Sequence, residues 1–291
     1  MVTAFAPAKV NLYLHVVGRR ADGYHLLDSL IAFADIGDRL TAAASPSLSL
    51  EITGPEAGGL AAVGDNNLVL RAARLLADYT GTTLGARLHL EKNLPTAAGI
   101  GGGSSDAAAA LGALASLWRV SIGEAAIYRL GAGLGADLAV CLHGRAAWVG
   151  GIGERIAPAA DLPPAGILLA NPRRALPTAA VFAARCGPFG EAARFAPMPR
   201  NVSGLAELLM SRRNDLTEAA IGLAPEIAVV LARLARLPGA VLARMSGSGA
   251  TCFALFADRA TAQQAGAALA AAEPGWWCAA GSLIAGDWHS G

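Results

Sequence analysis

The sequence has almost no excess of either charge. Its 291 residues include 23 lysines and arginines against 22 aspartates and glutamates, which gives a formal net charge of +1. No run of like charge is long enough to create a strong local field, so we expect no nucleic-acid partner and no binding to an anionic membrane surface. Any phosphate binding must therefore come from local geometry and not from bulk charge.

Long apolar segments and paired cysteines are also missing. Although 54% of the residues are hydrophobic, much of this is alanine, which favours helix without deep burial. The longest largely apolar stretch, near 107–118, is well short of the ~20 residues of a membrane-spanning helix. The four cysteines lie far apart without a Cys-x-x-Cys pair, which argues against a metal site or a disulfide framework. Too few residues precede Lys9 for a signal peptide, so we expect a cytoplasmic protein.

The length predicts one large domain or two smaller ones. Three prolines at 158, 163 and 164 separate two apolar segments predicted as strands, 146–149 and 167–170. We therefore place a domain boundary there and expect domains at 1–157 and 158–291. The sequence does not decide between a monomer and a dimer.

Strands and helices are mixed along the chain without regular alternation. The patterns predict strands at 10–17, 48–52, 87–90, 241–245, 252–256 and 278–284, and helices at 67–79, 105–118, 225–237 and from 258 onward. This order favours an α+β fold over a doubly wound parallel sheet.

The most informative segment runs from Leu94 to Asp106 and reads L-P-T-A-A-G-I-G-G-G-S-S-D. Its glycines let the backbone approach a bulky anion, and the helix predicted after it adds free N–H groups and a positive dipole end. An ordinary glycine turn with a serine cap is the alternative, but three consecutive glycines followed by two serines favour phosphate binding. No lysine follows the glycines, which excludes a P-loop, and Ser104 replaces the third glycine of the dinucleotide fingerprint.

This segment resembles the nucleotide loop of the superfamily that includes galactokinase, homoserine kinase, mevalonate kinase and phosphomevalonate kinase (the GHMP kinases). Residues 6–12 resemble the N-terminal strand motif of that family, and residues 244–252 resemble its C-terminal glycine motif. The three motifs occur in the family's order, so the resemblance covers nearly the whole chain. It implies a two-domain architecture with an N-terminal α+β nucleotide domain and a C-terminal ferredoxin-like α+β domain that completes the substrate cleft.

The resemblance also implies a reaction. The chain should transfer a phosphoryl group from ATP, with Mg²⁺, to a hydroxyl of a small metabolite. The segments 18–30, 134–137, 176–182 and 213–216 are similar to one branch of the superfamily, which acts on a cytidylated sugar-alcohol phosphate in the non-mevalonate route to isoprenoid precursors. A homoserine or mevalonate type of kinase, or a non-catalytic nucleotide- or metabolite-binding regulator, remains the alternative.

Lys9 and Asp137 match the catalytic pair of the family. A carboxylate within hydrogen-bond reach can accept the proton of an attacking hydroxyl, and a nearby ammonium can offset the developing charge. Taken alone, the aspartate would be interpreted as a helix cap and the lysine as a solvated residue. Their joint presence with the loop favours catalysis and argues against a non-catalytic regulator, whereas the Tyr24-His25 stretch argues against a homoserine or mevalonate type of kinase.

The resemblance implies two further groups of site residues. Tyr24, His25 and Phe182 match the cytosine site. For Tyr24 and Phe182 the alternative is a place in the hydrophobic core. Asn11 and Thr178 should lie near the substrate. The residues expected to bind the nucleotide are Asn67, Lys92, Pro95, Thr96, Ala97, Ala98, Gly99, Ile100, Gly101, Gly102, Gly103, Ser104 and Ser105.

The metal ligands are unknown from the sequence. Asp106 could help to hold Mg²⁺, but an acidic residue in the first turn of a helix is favourable for its own sake. The sequence departs from the branch's pattern at Ala139, where proline is common, and at Thr96-Ala97-Ala98, where glycine or methionine often occurs. The first change concerns the start of a helix and the second the fit of adenine.

Overall fold

The computed structural model describes residues 1–290 except 59, 61–63, 65, 124–125, 127–130 and 132. In these residues the strands are β1 (Val2–Arg19), β2 (His25–Ser45), β3 (Ser49–Thr53), β4 (Gly85–Glu91), β5 (Ala147–Gly151), β6 (Arg155–Pro158), β7 (Gly166–Asn171), β8 (Leu242–Met245), β9 (Cys252–Phe256) and β10 (Trp277–Ser282). The helices are α1 (Leu68–Thr80), α2 (Gly102–Trp118), α3 (Ala136–His143), α4 (Thr178–Ala184), α5 (Val202–Met210), α6 (Thr217–Leu223), α7 (Glu226–Ala235) and α8 (Arg259–Ala272). None of the described helices is both long and apolar enough to cross a membrane.

The first sheet is organised around β2, the longest strand. Its strands follow the order β3-β4-β2-β5-β6, and β1 forms an antiparallel hairpin with β2. The β1–β2 register shifts between Asn11 and Tyr13, where a bulge re-aims the side chains. Among the described strands β1 pairs only with β2, yet its residues 6–16 are buried, so the N-terminal strand motif lies inside the molecule.

Helices α1, α2 and α3 cover one face of this sheet. Small residues dominate the buried face of α2, in which residues 107–110 are all alanine, so the helix lies close against the sheet and α1. Leucines of α1, α2 and β4 complete this core, as Leu76, Leu88 and Leu111 illustrate. The close packing fixes the N-terminus of α2, where the glycine-rich loop ends.

The second sheet is antiparallel and has the order β10-β7-β9-β8. Helices α4 to α7 connect β7 to β8, and α8 connects β9 to β10. This is the β-α-β-β-α-β arrangement of ferredoxin-like folds, so the predicted C-terminal fold is confirmed. The first sheet ends at Pro158 and the second begins at Gly166; the boundary at 157/158 stays a prediction.

The two sheets share a hydrophobic core. Leu12 and Leu30 of the first hairpin pack with Ile167 and Phe253 of the second sheet, and all four side chains are fully buried. Burial of this kind contributes about 25 cal/mol per Å² of apolar surface. The shared core holds the N-terminal strand, the nucleotide loop and the C-terminal glycine motif against one another.

The structure differs from the predicted elements in two informative places. β2 was not predicted, because alanine, aspartate and glycine, which are poor strand formers, occupy much of it; pairing with β1, β4 and β5 compensates. Helix α2 begins at Gly102 and not at Ser105. Gly101, in the left-handed region with φ of 62°, forms its N-cap, so the helix starts among the glycines.

Arg244 of β8 links the two halves. Its buried guanidinium donates to the carbonyl of Leu12 in β1 at 2.7 Å and to those of Leu209 and Arg212 at 2.8 Å each. Burial lowers the pKa of this guanidinium to about 10, so it stays charged at neutral pH. One buried side chain thus bonds to three backbone carbonyls, of which that of Leu209 also accepts from the N–H of Arg212 at 2.9 Å.

We expect Arg244→Met to lower the free energy of unfolding by about 2–4 kcal/mol, because the apolar stem is kept while the three carbonyls lose this donor. The midpoint of urea unfolding measures this loss. Arg236→Met, at an exposed position, is the control and should change stability by no more than about 0.5 kcal/mol. Equal midpoints for the two variants would contradict the role given to Arg244.

Candidate active site

A cleft with a volume of about 1110 Å³ lies between the two sheets and their loops. Most of the site residues predicted from the sequence line it: Lys9, Asn11, Tyr24, His25, Asn67, Lys92, Pro95, Thr96, Ala97, Ala98, Gly99, Gly101, Gly102, Gly103, Ser104, Asp137, Thr178 and Phe182. Two predicted residues lie elsewhere. The side chain of Ile100 packs in the shared core, and Ser105 is fully buried with its hydroxyl 3.4 Å from Cys141 Sγ.

The nucleotide loop takes its shape from bonds to its carbonyl groups. The carbonyl of Ala98 accepts from the backbone N–H of Thr251 at 3.1 Å, and that of Gly99 accepts from the Ser246 hydroxyl at 3.1 Å. The carbonyl of Ile100 accepts from the N–H of Lys9 at 2.9 Å. Because C=O and N–H point in opposite directions in a trans peptide, these bonds also fix the direction of the N–H groups that follow.

Gly99 is required by space as well as by backbone conformation, and Gly101 by its backbone conformation, with φ of 62°. Gly99 has φ of 74°, and a Cβ there would lie 2.6 Å from the Ser246 carbonyl oxygen. At Gly101 a Cβ would lie 3.1 Å from the Lys9 side chain. The two glycines therefore let the loop touch the C-terminal glycine motif on one side and the N-terminal strand on the other.

Lys9 and Asp137 meet in the cleft although 128 residues separate them. The Lys9 ammonium lies 3.2 Å from Asp137 Oδ1 and donates to Asn11 Oδ1 at 2.9 Å. The lysine side chain is 5% exposed, whereas that of Asp137 is 47% exposed. Asp137 lies in the first turn of α3, where the helix dipole also favours a negative charge.

Aromatic residues form the opposite end of the cleft. The turn at Asp22-Gly23, with φ of 93° at Gly23, places Tyr24 at the surface with 61% exposure. The rings of His25 and Phe182 stack with centroids 5.3 Å apart. Burial, with the guanidinium groups of Arg19 and Arg185, lowers the pKa of His25, so a neutral imidazole lies against the phenylalanine. Tyr24 is thus outside the core, and Phe182 is only partly buried.

Lys92 is held beneath the loop. It is 2% exposed, donates to Asp106 Oδ2 at 2.7 Å and also pairs with Asp38. Although burial favours the neutral amine, the two carboxylates outweigh it and raise the pKa of Lys92. Asp38 in turn accepts from the N–H groups of Asn93 and Leu94 at 2.6 and 2.8 Å. The charge of Lys92 is therefore used to fix the start of the loop.

Sequence reasoning assigned no role to three serines, of which Ser29 and Ser248 line the cleft and Ser246 lies next to its lining residue Gly247. Ser29 accepts from the Asn11 amide at 2.8 Å, Ser246 bridges Asn11 N and the Gly99 carbonyl, and Ser248 bonds to the Thr178 hydroxyl at 2.9 Å. All three occur in segments that carried the family resemblance. Their presence in those motifs could have marked them as candidates for the site. Their hydrogen-bond partners, however, depend on the fold and cannot be predicted from the motifs.

Comparisons with known proteins identify the family to which the chain belongs. The family model described as the GHMP kinases N terminal domain matches residues 67–145, and the GHMP kinases C terminal model matches residues 198–275. The chain is 53% identical over 279 residues to the 4-diphosphocytidyl-2-C-methyl-D-erythritol kinase of Paramagnetospirillum magneticum, covering 96% of this chain and 97% of that protein. The enzyme of the same name from Rhodospirillum rubrum is 52% identical, with 96% and 91% covered.

Solved structures give the same result. A crystal structure of 4-(cytidine 5'-diphospho)-2C-methyl-D-erythritol kinase superposes with a TM-score of 0.81 at 37% identity, covering 98% of this chain and all of that one. The homoserine kinase of Cytophaga hutchinsonii, with a TM-score of 0.68 at 18% identity and coverage of 98% and 95%, shares the fold. The chain therefore belongs to the GHMP kinase family, together with relatives named 4-diphosphocytidyl-2-C-methyl-D-erythritol kinase.

Proposed function

We propose that this protein phosphorylates the 2-hydroxyl of 4-diphosphocytidyl-2-C-methyl-D-erythritol with ATP, in the non-mevalonate route to isoprenoid precursors. The observation that carries the proposal is the Lys9–Asp137 pair, 3.2 Å apart between a phosphate-binding loop and an aromatic platform. The identity of more than 50% to relatives of that name supports the choice of substrate.

Asp137 serves as the general base. Its half-exposed carboxylate can reach a substrate hydroxyl in the cleft, accept its proton and free the oxygen to attack the γ-phosphorus of ATP. The bond from the γ-phosphorus to the oxygen of ADP breaks as the new P–O bond forms. Lys9, buried at the base of the pair, offsets charge that develops on the transferred group.

The loop and the N-terminus of α2 bind the phosphates of ATP. The bonded carbonyls of residues 98–100 turn the N–H groups of residues 99–101 to the other side of the chain, and the helix adds its dipole and free N–H groups. Positioning and electrostatic stabilisation of this kind account for most of phosphoryl-transfer catalysis. Asn67 and the residues before Gly99 line the part of the cleft that would take the adenosine.

Mg²⁺ fits the cleft wall near the loop. Asp106 Oδ1 is buried and has no hydrogen-bond partner among the described residues, and Ser104 lines the same cleft. One carboxylate and one hydroxyl suit an ion that usually completes its shell with phosphate oxygens and water. These two residues would hold the ion, which when bound neutralises charge on the transferred phosphoryl group.

The aromatic end of the cleft binds cytosine. Tyr24 and Phe182 offer two faces, and the His25 ring stacks on that of Phe182. A base can stack on such faces, and neighbouring backbone groups can contact its edge. This feature favours a cytidylated substrate over homoserine or mevalonate, neither of which carries a ring that could use it.

A substrate panel tests the proposed activity. We expect coupled ADP release with the cytidylated substrate, and little with homoserine, with mevalonate or with the same metabolite lacking cytidine, because only the first uses the aromatic end. Turnover of homoserine or mevalonate at the higher kcat/KM would replace the proposed substrate. ATP binding without turnover of any substrate would instead indicate a regulator.

Asp137→Asn keeps the size of the side chain but cannot accept the proton. We expect kcat to fall about 10²- to 10⁴-fold with little change in KM. Lys9→Met should also lower kcat strongly, and the double variant should lose much less than the product of the two single effects, because both residues act on one transition state. Asp161→Asn, at an exposed position outside the cleft, is the matched control. A single-turnover rate for Asp137→Asn within about tenfold of native would show that positioning suffices without a base.

Truncation of either aromatic face should weaken binding of the substrate but not of ATP. Base stacking is worth about 1–3 kcal/mol, so Tyr24→Ala and Phe182→Ala should each raise the KM for the cytidylated substrate about 5- to 150-fold. Tyr79→Ala, at a tyrosine that is 51% exposed outside the cleft, should leave it unchanged. An equal loss of affinity for ATP and substrate would disprove the assignment of these two rings to cytosine.

A further inference from the structure

Ser29 lies on β2 directly behind the side chain of Asn11. It is 1% exposed, and its hydroxyl has two partners. The hydroxyl oxygen lies 2.5 Å from the carbonyl oxygen of Tyr13 and 2.8 Å from Asn11 Nδ2. Asn11 Oδ1, at the other end of the same amide, accepts from the Lys9 ammonium at 2.9 Å.

These contacts allow only one direction for the amide. The Tyr13 carbonyl can only accept, so it takes the single hydroxyl proton of Ser29. The second partner of that hydroxyl must then be a donor, and the NH₂ group of Asn11 supplies it. The amide oxygen consequently faces Lys9, whose ammonium can only donate. Ser29 and Lys9 thus fix the direction of the amide from its two ends, the hydroxyl by accepting from the NH₂ group and the ammonium by donating to the oxygen.

The consequence reaches the proposed catalytic pair. An amide turned the other way would present its NH₂ group to the ammonium, and Lys9 would lose the acceptor that holds it 3.2 Å from Asp137. We infer that Ser29 is a positioning residue for phosphoryl transfer, which acts by fixing the Asn11 amide and through it the Lys9 ammonium. This inference rests on the proposed function of Lys9 and Asp137.

Two other roles for Ser29 make different predictions. The β1–β2 register shifts between Asn11 and Tyr13, so the hydroxyl could serve only to satisfy the Tyr13 carbonyl at this bulge. Its loss would then lower stability without changing the chemical step. Ser29 also lines the cleft, and direct contact with the substrate would appear as a higher KM. A positioning role instead lowers the rate of the chemical step at unchanged KM.

The test combines single-turnover kinetics with an NMR readout. For Ser29→Ala we expect the rate of phosphoryl transfer to fall about 10- to 100-fold, the factor for a lost hydrogen bond to a charged network, with the KM values for both substrates unchanged. The side-chain amide signal of Asn11, assigned by its absence in Asn11→Asp, should shift and exchange with solvent faster. Ser29→Thr, which keeps the hydroxyl, should restore both the rate and the signal.

Thr41→Val is the matched control. It removes a hydroxyl from the same strand, where Thr41 Oγ1 lies 3.4 Å from Thr3 Oγ1, and neither threonine lines the cleft. Its rate should be native. If Ser29→Ala does not show a native unfolding transition, Ser29→Cys replaces it, because a thiol keeps the volume but accepts hydrogen bonds poorly.

Asp137→Asn, measured in parallel, distinguishes a failure of the role given to Ser29 from a failure of the role given to the Lys9–Asp137 pair. A native rate for Ser29→Ala or an unmoved Asn11 signal, with Asp137→Asn impaired, would overturn the role of Ser29 alone. A higher KM at an unchanged rate would also overturn it, in favour of substrate contact. A native rate for Asp137→Asn would overturn the catalytic pair itself, and the Asn11 signal would still report whether Ser29 orients the amide.

Discussion

The arrangement of the cleft depends on hydrogen bonds that hold the carbonyls of residues 98–100. Their donors belong to the N-terminal strand and to the C-terminal glycine motif, and they are Lys9 N, Ser246 Oγ and Thr251 N. Since N–H and C=O of a peptide group point in opposite directions, the loop presents N–H groups to a phosphate only when both sheets are in place. The proposed phosphate site is thus a property of the assembled fold and not of a glycine-rich sequence alone.

The hydrogen bond to the Ile100 carbonyl also shows how Lys9 can position the loop and contact Asp137 at the same time. The backbone N–H of Lys9 bonds to the Ile100 carbonyl, while its side chain reaches Asp137. In a strand the backbone groups lie in the sheet and the side chains project from its faces, so the two tasks do not compete. Gly101 completes the arrangement, because a Cβ there would press against the Lys9 side chain at 3.1 Å. A shift of the strand would therefore disturb the phosphate loop and the proposed base together.

Much of this could be predicted from the sequence, for physical reasons that differ by residue. β9, with its continuous apolar run, was predicted with the bounds found, and Asp258 caps α8 as expected. β2 was missed because its stability comes from three partner strands and not from its own residues. For the site, motif resemblance located the cleft residues, but the partners of Ser29, Ser246 and Lys92 depend on contacts between residues far apart in sequence.

The charged groups of the cleft are of two kinds: buried ammonium groups that are fixed in place, and an accessible carboxylate that could take part in the proposed reaction. Lys92 is buried with two carboxylates, and Lys9 is buried against Asn11; neither ammonium is free to move, so each contributes a fixed field at little cost in reorganisation. Asp137, by contrast, is half exposed, as a group must be if it is to meet a substrate hydroxyl. A proton acceptor must change its charge during the reaction, while the charges around it must stay as they are. An accessible carboxylate beside buried, immobile ammonium groups meets both requirements.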